Sequence, residues 1–418
     1  MAPFLAIWLT CGHMSDFPND MTAGAAFAEF RAEVQSFLHE YDRRPVAPGL
    51  SRLDRGRAFL AARYDAGLGA LDYPVADGGR GLDRRFVDVY RQEAEGRTTD
   101  DGGSGFSIGL DMCLPTIRDH GSPELRQRFL GPGLRGDEHW CQLYSEPGAG
   151  SDLAGLTTRA VRDGDEWLVT GQKVWTSGAD HADFGILLAR TDWDVPKHTG
   201  ISMLVLPMRQ PGVVVRALHQ MTDVAHFNEV FMDEARVPVD WVVGAPGNGW
   251  KMAVALLAYE RSSLGKGSGR QPIPTDRLIE LAQANGRSQD PVVRQNLARL
   301  ATGTRLIEWL NLRTGIHPSI TKLWRTQQGH TAAHVAAGLA WPGGIAWDGS
   351  RMGTTQTGRF ADADGSHWAY GICDSPALSL AGGTDEIQKN TLGERVLGLP
   401  REPAGNRDTP FSQIPKNV

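Results

Sequence analysis

Apolar residues recur at two different periods along this chain, and the changes of period divide it into three parts. From Ala26 to Tyr41, the residues Phe27, Phe30, Val34, Phe37, Leu38 and Tyr41 fall at helical spacing with polar residues between them, which predicts an amphipathic helix. Further helices are predicted at Arg57 to Ala66, Arg84 to Glu95 and Ser122 to Leu130. The last opens on Ser122-Pro123-Glu124, an N-cap followed by proline at the first helical position. Residues 21–138 therefore read as a helical domain. Over residues 139–245 short β-branched runs take over: FGILLAR, ISMLVLPM, GVVVRAL and FNEVFMDEARVP, separated by Pro, Gly and Asp turns. They predict an antiparallel β-domain. The helical period returns at Gly249 to Leu264, Thr275 to Ala284, Asp290 to Thr314, His317 to Ala340 and Thr384 to Leu397, a bundle spanning 246–402. The Pro-rich, polar segment 403–418 reads as a disordered tail. The predicted fold class is α+β: N-terminal helical domain, central antiparallel β-domain, C-terminal helical bundle.

The most informative stretch runs from Cys141 to Ser177. Pro147, Gly148 and Gly150 bar a long helix and let the backbone approach a ligand, and Ser145 and Ser151 add hydroxyls beside N–H groups. Such a loop suits an anion or a polar ring edge. Thr157 to Trp175 alternates in period two around Gly164-Asp165, so it predicts a β-hairpin that returns Trp175 and Ser177 toward the loop. An indole face and a hydroxyl aimed at one place suit a flat heteroaromatic cofactor. A surface turn followed by an ordinary hairpin fits the same residues.

Composition narrows the classes. The chain has 418 residues, enough for two or three cores, and its net charge of −6 leaves no electrostatic footprint for nucleic acid. Four scattered cysteines with no CxxC pair fit neither a disulfide framework nor a zinc site, and point to a reducing cytoplasm. The opening MAPFLAIWLTCGHM lacks a basic region and is too short to span a bilayer, so it reads as neither signal nor membrane helix. Gly102 to Gly109 (GGSGFSIG) has no strand before it and no βαβ unit around it, which argues against a dinucleotide loop and for a helix start or a loop beside a cavity. His330 and His334 lie one helical turn apart, half of a metal site, but without a HExxH glutamate or a third ligand they read as packed or surface histidines.

SEPGAGSD followed by GQKVWTSG resembles the flavin-binding signature of the acyl-CoA dehydrogenase family. LDYPVADGGRGL, FNEVFMDEARVP, the GAPGNGW link and LAGGTDEIQKNTLGERVLGLP extend the resemblance over residues 25–402. The resemblance implies FAD as cofactor. It places Gln142, Tyr144, Ser145 and Ser151 along the pyrimidine edge and ribityl chain, and Trp175 and Ser177 against the isoalloxazine near N5. Thr384 and Glu386 fall near the flavin or its phosphates, Arg287 toward the adenine end, and Ser151 and Arg261 toward substrate. It also implies α,β-dehydrogenation of an acyl-CoA thioester, with the thioester oxygen held by a ribityl hydroxyl and the Gly382 backbone N–H. Electrons would pass to an electron-transferring flavoprotein. Many relatives carry the catalytic Glu immediately before the Gly-Thr of the last motif, where this chain has Gly382. The isovaleryl and long-chain enzymes carry it instead before an Arg on the first helix of the C-terminal domain, matching Glu260-Arg261 in LLAYERSSL. Glu260 is thus the expected base. Glycine at 382 also leads us to expect room for a branched or bulky acyl group.

The family's adenine-end motifs are incomplete: NGRSQDP offers Arg287 alone, and AWPGG has no Gln before Gly343 and Gly344. The expected assembly is a homodimer or homotetramer. A non-catalytic or half-site subunit of a heterotetramer, or an acyl-CoA oxidase, are the alternatives.

Overall fold

The computed structural model describes residues 21–45, 49–94, 105–222, 224–265, 273–313, 315–342, 366–401, 403 and 407–415. Helix α1 (Met21–Asp42) carries Phe30, Val34 and Leu38 on one stripe, which packs with Phe59, Leu68, Leu71, Val89 and Tyr90 of the following segments. Phe59 lies on α2 (Arg52–Asp65), capped by Ser51, Val89 and Tyr90 on α3 (Arg84–Ala94), and Leu68 and Leu71 on the connection between the two helices. A π-helical turn (Gly109–Cys113) leads into α4 (Leu114–His120). Residues 105–108 run into that turn, the helix-start reading of the glycine-rich stretch, while 102–104 lie outside the described residues. Helix α5 (Pro123–Arg135) begins at the predicted Ser122 cap, whose hydroxyl accepts from the Leu125 N–H at 3.2 Å. It continues beyond Leu130 to a left-handed Gly136.

The β-domain comprises β1 (Trp140–Leu143), β2 (Arg159–Asp163), β3 (Glu166–Ser177), β4 (Phe184–Arg190), β5 (Ile201–Pro207), β6 (Val213–Leu218) and β7 (Phe227–Pro238). The order is β1-β4-β2-β3-β7-β6, with β5 on β4. The predicted hairpin is β2–β3, turning at Gly164-Asp165 between Asp163 and Glu166, with Gly164 at φ +60°. The sheet is not wholly antiparallel: β1 runs parallel to β4, Trp140 opposite Phe184 and Leu143 opposite Leu187. Its two faces are covered differently. Leu143, Ala160, Val169, Leu204, Val230 and Val237 form a core within the β-domain. Trp140, Tyr144, Ile186, Leu188, Met203 and Val205 pack instead against helical residues Leu114, Ile117, Phe129 and Leu130, and against Met252, Ala253 and Leu256.

These last three lie on α6 (Gly249–Gly265), the first helix of the C-terminal part. The bundle continues with α7 (Thr275–Ala284), α8 (Pro291–Leu312), α9 (Pro318–Leu339), α10 (Ser366–Asp374), α11 (Ala377–Leu380) and α12 (Asp385–Thr391), the last prolonged by a π-helical turn, Leu392–Val396. Asp290 and His317 cap α8 and α9 through their side chains.

The expectation of a disordered tail needs correction for residues 407–415. Phe411 is only 5% exposed, its N–H donates to the Val195 carbonyl at 2.9 Å, and the Ser412 N–H donates to Trp193 O at 2.8 Å. Polar composition argues for disorder only while no apolar anchor finds a pocket, and Phe411 finds one over the Arg190 guanidinium, 3.5 Å from its ring centroid.

Candidate active site

The two halves of the central motif are locked together by a buried ion pair. Lys173, from GQKVW, is fully buried, and its Nζ donates to Glu146 Oε1 of SEPG at 2.8 Å and to the Tyr144 carbonyl at 2.9 Å. Glu146 also accepts from the Thr157 N–H at 2.7 Å, the Thr157 hydroxyl at 3.0 Å and the Thr158 N–H at 2.9 Å. Burial alone would raise this carboxyl, but Lys173 and the Thr157 and Thr158 donors hold it down at about 2. Burial pulls the Lys173 ammonium down, against the attraction of Glu146. The Val174 N–H donates to Ser145 O at 2.9 Å, completing the clamp. With Glu146 turned inward, Pro147, Gly148, Gly150 and Ser151 form an exposed rim, and a Cβ on Gly148 or Gly150 would meet nothing within 4 Å.

Beside this rim stands Trp175. The β3–β7 register shifts between Lys173 and Thr176, and Trp175 takes φ +62°, a left-handed conformation rare for a bulky side chain. The bulge turns the indole outward, 57% exposed and edge-on to Phe227 at 5.8 Å. The next hydroxyl, Thr176 Oγ1, is buried without a hydrogen-bond partner among the described residues, and Ser177 is half-buried. A strained exposed indole, an unpartnered hydroxyl and an open glycine rim together fit a flat, polar-edged ring system. Gln142 lies half-buried on β1.

The loop after Ser151 is held from behind by Arg190, whose guanidinium donates to the carbonyls of Ala154 (2.7 Å), Leu156 (3.1 Å) and Lys197 (3.0 Å) beneath Phe411. Burial pulls this guanidinium down to about 10, which leaves it charged at neutral pH.

Helix α6 packs on the buried side of the same motif. Ala253, Leu256 and Leu257 form its packed stripe, and Glu260 continues that stripe at helical spacing toward Tyr144. Glu260 is half-buried, and its charge reaches the Tyr144 phenol. The preceding Tyr259 donates to Asp119, which also pairs with Arg118. Arg261 lies in α6 but its side chain is outside the described residues.

At the last motif, Gly382 and Gly383 adopt φ +67° and +84°, so the turn requires glycine for its backbone. Thr384 caps α12, accepting from the Ile387 N–H at 3.2 Å, and Glu386 is exposed. This turn is anchored in the bundle: Gln388 donates to Gly382 O at 2.7 Å and Lys322 to Asp385 at 2.6 Å. Arg287 donates to Gly338 O at 2.8 Å and to Asp290 at 3.2 Å, while Gly343 and Gly344 are outside the described residues. His330 meets the hydroxyls of Ser375 and Ser379, and His334 meets the His330 carbonyl. The Glu146–Lys173 pair, the Arg190 clamp and Phe411 escaped the sequence reading, although both ionised partners of the pair stand inside the quoted motifs.

The open hydroxyl-lined rim and the exposed indole of the β-domain fit a flat cofactor ring. The family models "Acyl-CoA dehydrogenase, N-terminal domain" and "Acyl-CoA dehydrogenase, middle domain" match residues 26–137 and 141–234. The chain is 38% identical over 397 residues to the acyl-CoA dehydrogenase IpdE1 of Mycobacterium tuberculosis, covering 90% of this chain and 99% of that one. Among solved structures, the "Tcur3481-Tcur3483 steroid ACAD G363A variant" matches with TM-score 0.71 and 28% identity, covering 91% of this chain and all of that one. The ChsE4-ChsE5 complex of Mycobacterium tuberculosis matches with TM-score 0.67 and 25% identity, covering 94% of this chain and all of the matched one. The chain belongs to the acyl-CoA dehydrogenase family, and is an oxidoreductase acting on CH–CH groups.

Proposed function

We propose that this protein dehydrogenates an acyl-CoA thioester between its α and β carbons, with Glu260 as the base. The observation that carries the reading is the α6 stripe: its packed face continues at helical spacing into Glu260, whose charge reaches the phenol of Tyr144, between Leu143 and Ser145 of the resembling motif. The α proton of a thioester is weakly acidic, so the protein must hold a carboxylate at the α carbon and a donor at the carbonyl oxygen. Glu260 takes the proton and the Gly382 N–H holds the oxygen. Bound FAD supplies a two-electron acceptor for the β hydride at N5. Ser145, Ser151 and Gln142 hold its polar edge, Trp175 and Ser177 line its reactive side, and Thr384, Glu386 and Arg287 serve its far end. Arg261 and Ser151 face the thioester substrate. An electron-transferring flavoprotein removes the electrons, and the setting is the cytoplasm. The steroid acyl-CoA dehydrogenase among the solved neighbours supports a bulky acyl group.

Glu260→Gln should bind FAD as the wild type does, yet lose a hundredfold or more in the rate of anaerobic flavin bleaching by acyl-CoA, on the order expected for a general base. Bleaching at the wild-type rate would overturn the assignment. A panel of thioesters scored the same way identifies the acyl group; preference for short straight chains counts against a bulky one. Rapid reoxidation by air would mark an oxidase.

A second reading is favoured by one observation: two solved neighbours carry paired chain names, and Arg287 is engaged within its own chain. In it, this chain pairs with a paralogous chain that completes the adenine end. Purified alone it would then fail to bleach, and co-expression with that chain would restore bleaching; a bleaching homo-oligomer removes this reading.

A further inference from the structure

Tyr144 carries a hydroxyl that packing does not explain. Directly after β1, its side chain is 6% exposed and sits in the core formed with Cys113, Trp140, Ala253 and Leu256, whereas Leu143 points into the β-domain core. The phenol oxygen has no hydrogen-bond partner among the described residues. A phenylalanine would fill the same space without a buried polar group left unsatisfied, so the hydroxyl is a cost to folding here. Two titratable groups influence it: the Cys113 thiol on the π-helical turn, itself kept protonated by burial, and Glu260 on α6. Burial and these two neighbours push the phenol well above its ordinary value, so it stays a donor throughout the working pH range. Glu260 lies at helical spacing from Ala253, Leu256 and Leu257, which pack in the same cluster.

We infer that Tyr144 is the positioning residue for Glu260: once a thioester is bound, the Tyr144 hydroxyl donates to one carboxylate oxygen and aims the other at the α carbon. The inference rests on the reading of Glu260 as base. In the step itself the α C–H bond breaks and the proton passes to the other oxygen of Glu260; FAD, when bound, would supply the acceptor for the β hydride, so that the electron pair can form the α–β double bond. Tyr144 keeps its proton throughout. A hydrogen bond to a carboxylate lowers its basicity, so the gain lies in orientation and belongs to proton transfer rather than to binding.

The test compares FAD-loaded wild type, Tyr144→Phe, Tyr144→Leu and Glu260→Gln. The probes are the saturated acyl-CoA that bleaches the wild-type flavin fastest and its 3-thia analogue, whose acidified α hydrogen exchanges with solvent deuterium under base catalysis. Tyr144→Phe should keep its melting temperature, its FAD dissociation constant and KM, while kcat and α-hydrogen exchange fall about tenfold, the scale of a misaimed catalytic group. Tyr144→Leu should show at least the same exchange deficit. Wild-type exchange in Tyr144→Phe beside a dead Glu260→Gln overturns the role of Tyr144 alone. Wild-type exchange in Glu260→Gln overturns the base assignment and this inference with it. Loss of FAD affinity in Tyr144→Phe would make the phenol a cofactor contact and overturn positioning.

Discussion

Trp175 concentrates the local conflict of the site, because β3 would run smoothly if this residue kept a strand conformation. A left-handed φ at a bulky residue costs on the order of 1–3 kcal/mol, and more than half of the indole faces solvent. Trp175→Gly should therefore hold or raise the unfolding free energy while weakening FAD binding; a marked loss in a denaturant titration would mean that the indole supports the fold. Glu146 and Lys173 show the reverse case, since neither touches the open rim and both hold it. Lys173→Met leaves a buried carboxylate without its cation and should destabilise by about 3–5 kcal/mol. The Glu146 carboxyl is depressed from 4.5 to about 2, so the stability it contributes is complete above 4.5 and disappears as pH falls from there toward 2. Burial of Lys173 offsets part of that contribution at neutral pH. Acid titration of stability should show a steep limb in this window that Glu146→Gln flattens; an unchanged limb would mean that other carboxylates carry it.

Among elements, the C-terminal segment 407–415 behaves as a strap across the β-domain. Phe411 covers Arg190, Arg190 holds the carbonyls of residues 154 and 156, and these follow directly on Ser151 of the rim. Truncating the ring in Phe411→Ala should release the strap locally rather than unfold the chain, because its neighbouring bonds are few and lie at the surface. Amide hydrogen exchange should accelerate at residues 153–156 and FAD affinity should fall several-fold, with the global melting transition little moved. Unaltered exchange at 153–156 would show that Arg190 holds the loop without help. Elements were legible in the sequence to the degree that one face met solvent. α1 and the β2–β3 hairpin carry clear periods and turn residues, whereas Leu114, Pro115, Thr116 and Ile117 of α4 are all buried and leave no polar face to mark a helix. The parallel pairing of β1 with β4 escaped for another reason: such a pair is joined by a long connection with no local turn signature.

At the scale of the whole molecule, the reading hinges on where three separately legible parts meet. Among the described residues no helix is long and apolar enough to cross a membrane, and no group of three or more His, Cys, Asp or Glu is placed to hold a metal. The core that joins helices α4 and α5, strands β4 and β5 and helix α6 puts Glu260 and Tyr144 on one junction although 116 positions separate them. By itself the sequence determined the three-part order and the open glycine loop, because period and turn chemistry are local properties of the chain, while Glu260 as candidate base rests on the family resemblance. Only the tertiary structure decided that Glu146 turns inward to Lys173, that Gly382 takes a left-handed backbone angle, that Phe411 closes over Arg190, and that the Tyr144 phenol is buried in the core it shares with α6. Each depends on burial and on partners far away in the chain, and these come into being only when the sheet and helices close on one another.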